Sequence, residues 1–113
     1  INTVFVFGVT NDSWSNAPLG KMKCSDWEEK DLYFVLPAVY YFLSLIKETL
    51  PKAKIYCLIN TGLKSEISTS MKNACEKHSI TPIIFDEIDK KFGHPTILGM
   101  KDIKNRVLSV LNK

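Results

Sequence analysis

The sequence lacks a long apolar run, and this absence is the first constraint on the class of the protein. No stretch reaches the roughly 18 consecutive apolar residues that indicate a membrane-spanning helix. The longest apolar-rich stretch, residues 32–50, is interrupted by Pro37, Lys47 and Glu48. It therefore predicts a buried helix, and we expect no membrane association.

Cysteines are few, and they are not spaced for a metal site. The sequence has three, Cys24, Cys57 and Cys75, with no CxxC or other metal-binding pattern, and the odd number argues against a disulfide framework. Cys57 lies in a strand-like run and Cys75 on a helix-like apolar face, which predicts two buried thiols. No GxGxxG or phosphate-binding loop follows a strand-like run. We therefore expect no metal and no cofactor.

Excess charge of one sign is also lacking. The net charge is only +3, and the lysines are spread along the chain, so nothing indicates nucleic-acid binding. A length of 113 residues corresponds to one domain or part of one. The sequence has no starting Met and no signal peptide, and opens almost directly in a strand. We expect a processed or truncated chain, and its N-terminus does not define a localisation.

Hydrophobic periodicity gives an alternating α/β pattern. Strand-like runs occur at residues 4–7, 54–59 and 80–85, and helix-like runs at 36–50, 64–77 and 97–111. Pro37 and Pro95 are both expected in the first turns of their helices, Pro82 at a strand start or on an edge strand, and Asp31 as the cap of a short turn. Strands separated by such helices predict right-handed crossovers and a parallel sheet.

Three strands and three helices are too few for a complete domain of this type. Strands that are apolar throughout need helices on both sheet faces. The first strand is as apolar as a central one, so another strand is expected on its far side. The chain thus resembles part of a larger doubly wound domain.

Polar residues follow each strand, and in a parallel sheet these positions meet at one edge. Asn11 follows the first strand and Asn60 the second, while Asp86, Asp89 and His94 follow the third. A histidine near carboxylates is suited to general-base chemistry, and an Asn amide can donate to a developing oxyanion. The alternatives are that Asn11 only forms a turn, and that His94 is a capping or surface histidine.

A long segment without clear periodicity, residues 13–30, follows the first strand. It contains Trp14 and Trp27, which argue against disorder because tryptophans bury large apolar areas. Loops of this length in compact domains are often functional. We expect a packed loop that forms the wall of a pocket, or alternatively one that only covers the core.

Two blocks of sequence resemble conserved blocks of the SGNH hydrolases, the GDSL-type lipases and esterases. Residues 7–12 (FGVTND) resemble the Gly-x-Asn-Asp block, and residues 93–100 (GHPTILGM) resemble the His-Pro-x-x-x-Gly-Met block. They occur in the right order with the expected helices and strands between them. The resemblance implies an incomplete three-layer α/β/α, flavodoxin-like fold, with residues 1–113 as the C-terminal part of a single domain.

The resemblance also implies roles for individual residues. Asn11 matches the Asn of the oxyanion hole, and His94 matches the His that accepts the proton of the serine nucleophile. The family's acid usually lies three positions before this His, where this sequence has Lys91, which cannot accept a hydrogen bond. Asp89 is our candidate for orienting His94, and a backbone carbonyl is the alternative. The Gly of the first block falls on Val9, one residue after Gly8. The candidate substrate contacts are Gly8, Thr10, Trp14 and Asn60.

The family's Gly-Asp-Ser block, which carries the nucleophile, is absent from these 113 residues. The resemblance places it, with a second oxyanion donor, before Ile1. We therefore expect a metal-free serine esterase that acts on acyl esters, with acetylated carbohydrates among the candidates. The chain alone is expected to be inactive without its missing N-terminal part. The alternatives are a non-catalytic flavodoxin-like or Rossmann-like binding module, and a structural domain that binds another chain along the edge of the first strand.

Overall fold

A parallel sheet forms the centre of the chain, as predicted. The computed structural model describes residues 2–9, 15–85, 87–91 and 94–112. Within them, β1 (Thr3–Phe7), β2 (Lys54–Ile59) and β3 (Thr81–Ile84) form one sheet in the order β1-β2-β3. Both pairings are parallel, with Val4 opposite Ile55 and Leu58 opposite Ile83. Because the strands are parallel, their carboxyl ends lie at the same edge.

The helices follow the predicted bounds closely. They are α1 (Val35–Thr49), α2 (Ser65–Lys77) and α3 (Ile97–Leu111), and a short 3₁₀ helix (Glu29–Tyr33) precedes α1. Pro37 lies in the first turn of α1, as expected. The prediction for Pro95 was wrong, because α3 begins at Ile97 with Thr96 as its N-cap and Pro95 lies in a short strand.

The two faces of the sheet are covered to different extents. On the first face, α1 and α2 pack over Ile55, Cys57 and Ile59, which are 3%, 0% and 1% exposed. On the second face, Ile103 of α3 packs with Leu58 of β2 and with residues in and after β3. The α3 helix therefore covers the β2–β3 half of that face.

The β1 half of the second face is open. Phe5 and Phe7 are 48% and 45% exposed, although Phe5 stacks on Tyr56 and Phe7 contacts the edge of Phe85. Among the described residues, β1 pairs with β2 alone. An open edge beside exposed phenylalanines fits the prediction that the sheet is part of a larger fold.

In the segment between β1 and α1, the described residues 15–34 pack against α1, as expected of a packed loop. The backbone carbonyls of Pro18 and Leu19 accept hydrogen bonds from the amides of Val35 and Leu36, each at 3.0 Å. These bonds satisfy amides in the first turn of α1, which have no partner within the helix. Trp27 packs edge-on against Tyr41, with ring centroids 5.5 Å apart.

The short turn before α1 is capped by Asp31. Its carboxylate accepts a hydrogen bond from the Glu28 amide at 2.8 Å and forms an ion pair with Lys23 at 2.7 Å. The Lys23 ammonium and the Glu28 amide lower the pKa of Asp31. The cap therefore acts from the third position of the 3₁₀ helix.

The two predicted buried thiols are confirmed. Cys57 and Cys75 have no exposed surface and both are free, whereas Cys24 is free and exposed. A hydrogen bond with Cys75 and burial raise the pKa of the Cys57 thiol. None of the described helices has both the length and the apolar character needed to cross a bilayer.

Candidate active site

His94 lies on a short β-hairpin that sequence reasoning missed. Strands β4 (Lys90–Lys91) and β5 (His94–Pro95) pair antiparallel, with Lys91 opposite His94 and Lys90 opposite Pro95. The two intervening residues are Phe92 and Gly93, outside the described ranges. Strands of two residues show no period to detect, so the sequence pattern did not predict this pairing.

The hairpin lies at the carboxyl edge of the sheet. It follows β3, and the Lys90 Nζ donates to the carbonyl oxygen of Thr61, just after β2, at 3.3 Å. The His94 side chain is exposed at this edge. The residues after β1, Gly8 and Val9, belong to the same edge because β1 is parallel to β2. The structure thus brings His94 to the edge where the polar residues were expected to meet.

Three of the predicted site residues lie outside the described ranges. They are Asn11, Thr10 and Trp14. The neighbouring Asp86 also lies outside them. The roles assigned to these residues remain predictions.

Asp89 is bound to the N-terminus of α3. Its carboxylate accepts a hydrogen bond from the Thr96 hydroxyl, and its backbone carbonyl accepts one from the Thr96 amide at 3.0 Å. The Thr96 hydroxyl oxygen in turn accepts from the Gly99 amide at 3.2 Å, which caps the helix. The Asp89 carboxylate thus binds a residue two positions after His94.

A second set of contacts holds the segment before the hairpin against α3. Arg106 donates to the backbone oxygen of Glu87 at 2.8 Å and pairs with Asp102 at 3.0 Å. Its guanidinium also lies 5.9 Å from the centre of the Phe85 ring. These contacts and the Asp89–Thr96 bonds fix residues 87–89 to the helix at two places.

Val9 is in an unusual backbone conformation. Its φ is +63°, in the left-handed region that β-branched residues strongly avoid. This is the position at which the Gly-x-Asn-Asp pattern has glycine, so the glycine of the pattern has a physical reason here. Gly8, in contrast, lies in open space, since a Cβ added at this position would meet no atom within 4 Å.

Asn60 has a local backbone contact. It is 8% exposed, and its side-chain oxygen accepts a hydrogen bond from the Thr61 amide at 2.8 Å. This contact stabilises the turn after β2, which continues through Gly62 at φ +74°. Asn60 lies at the expected edge, and its contact with substrate remains a prediction.

An apolar cavity of about 390 Å³ lies beside the end of β1. Gly8 and Val9 line it on the strand side, and Phe34 and Phe42 line it on the α1 side. Cys57 also lines it. The described residues include no group of three or more His, Cys, Asp or Glu side chains that could hold a metal ion.

Comparisons with known proteins agree with this geometry. A family model described as GDSL-like Lipase/Acylhydrolase matches residues 1–111. The crystal structure of a candidate GDSL-like lipase from Bacteroides ovatus ATCC 8483 is 39% identical, with a TM-score of 0.92. A second, from Bacteroides uniformis ATCC 8492, is 38% identical, with a TM-score of 0.93. The comparison with curated proteins gave no match.

The matches cover different shares of this chain and of the solved chains. The two alignments cover 98% of this chain but only 54% and 52% of the solved chains. The chain therefore spans about half the length of these structures, and its three-stranded sheet is an incomplete version of their α/β fold. With the family match over nearly every residue, the chain belongs to the GDSL-like lipase/acylhydrolase family, the SGNH hydrolases.

Proposed function

We propose that this chain supplies the general base and one oxyanion-hole donor of a serine esterase. The nucleophilic serine is assigned to the remainder of the domain, which the solved relatives contain in addition to the matched half. We call the two parts together the complete domain. The observation that carries the proposal is the placement of His94, exposed on a hairpin at the carboxyl edge of the sheet.

The proposed reaction proceeds through an acyl-enzyme. The His94 ring accepts the proton of the serine hydroxyl while the serine oxygen attacks the ester carbonyl carbon. The side-chain amide of Asn11 donates to the oxyanion that forms on the carbonyl oxygen. The protonated His94 then gives its proton to the leaving alcohol. In the second half, His94 takes a proton from water while the water oxygen attacks the acyl carbonyl carbon. The bond between that carbon and the serine oxygen then breaks, and His94 returns the proton to the serine oxygen.

The open side of β1 supports the assignment of a missing part. The solved relatives have about as much additional chain as the matched half. Phe5 and Phe7 leave an apolar half-face uncovered, and the edge of β1 has no pairing partner among the described residues. We propose that the remainder of the domain adds a strand beside β1 and a helix over these two rings.

Acyl esters are the proposed substrate class, with acetylated carbohydrates as one candidate group. The apolar lining of the cavity beside Gly8 and Val9 supports an acyl portion rather than a charged one. Trp14 is the proposed wall of the pocket, with Asn60 and Thr10 as the proposed polar contacts.

The test is ester hydrolysis by the complete domain and its His94→Gln variant. We expect kcat/KM for p-nitrophenyl acetate to fall on the order of 10³-fold, because general-base catalysis is lost. His78→Gln is the matched control, since His78 is the other histidine of the chain and follows α2. It should retain wild-type turnover at pH 7.5. Equal rates for wild type and His94→Gln would reject the mechanism.

A second measurement tests the assignment of the nucleophile. A serine-directed fluorophosphonate should label the complete domain and leave the 113-residue chain unlabelled. Turnover or labelling by the 113-residue chain alone would contradict the proposal. Absence of labelling in the complete domain would favour a non-catalytic binding module.

A further inference from the structure

We propose that Asp89 and Thr96 are positioning residues that hold His94 in place, with Asp89 acting through the Thr96 hydroxyl. The inference rests on the proposed role of His94 as general base. In place of a direct Asp89–His94 contact, it invokes the hydrogen bonds between Asp89 and Thr96 at the base of the hairpin, which we call the lock.

The strand register defines this lock. Lys91 is opposite His94, and Lys90 is opposite Pro95. The next pair in the same register is Asp89 with Thr96, and the Thr96 amide donates to the Asp89 carbonyl at 3.0 Å. This pair closes the hairpin where it joins α3, so its bonds determine how the histidine is presented.

Alternation along the ribbon places the side chains of Asp89, Thr96 and His94 on one face. Lys90 is on the other face, which agrees with its contact to Thr61 after β2. Across the two strands, Asp89 lies directly opposite Thr96 and diagonally opposite His94. The carboxylate is hydrogen-bonded to its direct neighbour.

The Thr96 hydroxyl links the carboxylate to the helix. A hydroxyl has a single proton, and here it is donated to Asp89, so the oxygen lone pairs remain to accept from the Gly99 amide. One side chain therefore joins segment 87–89 to the first turn of α3. If either bond is lost, this side-chain link is broken, and the Thr96 amide bond and the Arg106 contact alone hold the segment to the helix.

The residue opposite His94 cannot orient the ring through its side chain. Lys91 is the residue directly opposite His94, and a lysine has no acceptor for an imidazole N–H. The position of the ring also depends on the backbone that carries it. A misplacement of about 1 Å in a catalytic group can lower the rate by roughly 10²-fold.

The experiment compares four variants in the complete domain, measured as kcat and KM for p-nitrophenyl acetate. We expect Asp89→Ala and Thr96→Val each to lower kcat by roughly 10- to 100-fold, with KM changed less than about twofold. The double variant should be no slower than the slower single variant, because both remove the same link. Thr96→Ser, which keeps the hydroxyl, should restore kcat to within about threefold of wild type.

Asp89→Asn separates the two possible roles of Asp89. An amide oxygen can still accept from the Thr96 hydroxyl, so our inference predicts a loss of no more than about threefold. In a direct carboxylate–histidine pair, the same change costs about 10⁴-fold, as in serine protease triads. A loss of that size, or a shift of the acidic limb of the pH–rate profile, would overturn the inference.

The controls separate folding from positioning. Thr49→Val makes the same change at an exposed residue at the end of α1 and should leave kcat unchanged. Wild-type kcat in Thr96→Val, together with a large loss in His94→Gln, would refute the lock alone. Wild-type activity in His94→Gln would refute the proposed function itself. If Thr96→Val fails to fold, Asp89→Ala, at an exposed residue, still decides the question, because wild-type kcat in that variant would refute the lock.

Discussion

The backbone of Gly99 lies directly against the carbonyl oxygen of Asp89. A Cβ at position 99 would overlap that oxygen, and it would also come within 3.0 Å of the Ile88 side chain. Gly99 is the third residue of α3, where glycine is otherwise unfavourable. The glycine of the His-Pro-x-x-x-Gly-Met block is therefore explained by close approach of two backbones.

Gly99→Ala is expected to destabilise the complete domain and to slow it. The new methyl group must displace backbone rather than a flexible side chain, so we expect a loss of about 1–3 kcal/mol in the free energy of unfolding. Because Asp89 moves with the displaced segment, kcat should also fall. Urea unfolding and ester hydrolysis measure the two effects.

Gly8→Ala is the stability control for this change. A Cβ at position 8 would meet no atom within 4 Å, so the free energy of unfolding should change little. Equal stability of Gly99→Ala and wild type would mean that the helix and segment 87–89 separate easily, contrary to the close approach of Gly99 and Asp89.

At position 9 we expect the glycine variant to be more stable than the alanine variant, which reverses the usual order. At φ +63° a β-branched residue is strained, and alanine would keep most of that strain while glycine would remove it. Both substitutions remove the two Cγ methyl groups that the partly buried valine packs against the core, and glycine also removes Cβ. We expect Val9→Gly to be more stable than Val9→Ala by about 1 kcal/mol in urea unfolding.

Val6 in β1 provides the comparison, because it is also partly buried and packs on the same core cluster. There the ordinary order should hold, with Val6→Ala more stable than Val6→Gly by about 0.5–1 kcal/mol. If alanine is favoured at both positions, the left-handed conformation of Val9 is not a source of strain.

The regular elements could be predicted from the sequence because each is long enough to show its period. The run 54–59 and the helix 65–77 show their apolar patterns over several residues, and both were placed within one residue of their observed bounds. The parallel order followed from the alternation of these elements. The family blocks pointed to His94 because they occur on this topology.

The details that position the site could not be read from the same patterns. Strands β4 and β5 have two residues each, so their pairing depends on contacts with α3 and the Thr61 turn. The partner of the Asp89 carboxylate was likewise hidden, since Thr96 is separated from it by the whole hairpin. The positive φ of Val9 goes against local propensity, which is typical of backbone beside a functional site.

His78 predicts a stability change at mildly acidic pH. Burial, with the nearby Lys77 charge, lowers its pKa, and its Nε2 is buried without a hydrogen-bond partner among the described residues. As pH falls through the ordinary histidine value of about 6.5, the unfolded state takes up a proton before the native state does. Stability must therefore decrease as pH falls from neutral.

Urea unfolding at pH 7.5 and pH 5.5 tests this expectation. Wild type should lose more stability between the two values than His78→Gln, which has no proton to bind. The interval from pH 7.5 to pH 5.5 lies above the pH range in which Asp31 and Glu66 would change the stability, because their pKa values are lowered. Parallel losses in wild type and variant would assign the acid sensitivity to other groups.

Because the rings of Phe5 and Phe7 are exposed, we expect their replacement to have different effects in the 113-residue chain and in the complete domain. In the 113-residue chain they face solvent on the open half of the sheet, so Phe5→Ser with Phe7→Ser should reduce self-association in sedimentation velocity. In the complete domain the same rings should be covered, and the double substitution should lower the free energy of unfolding by about 2 kcal/mol or more. Ile97→Ser, at 78% exposed, is the control for the isolated chain and should not change association as much. An unaffected complete domain would mean that nothing packs on this half-face, and the proposed helix over β1 would have to be abandoned.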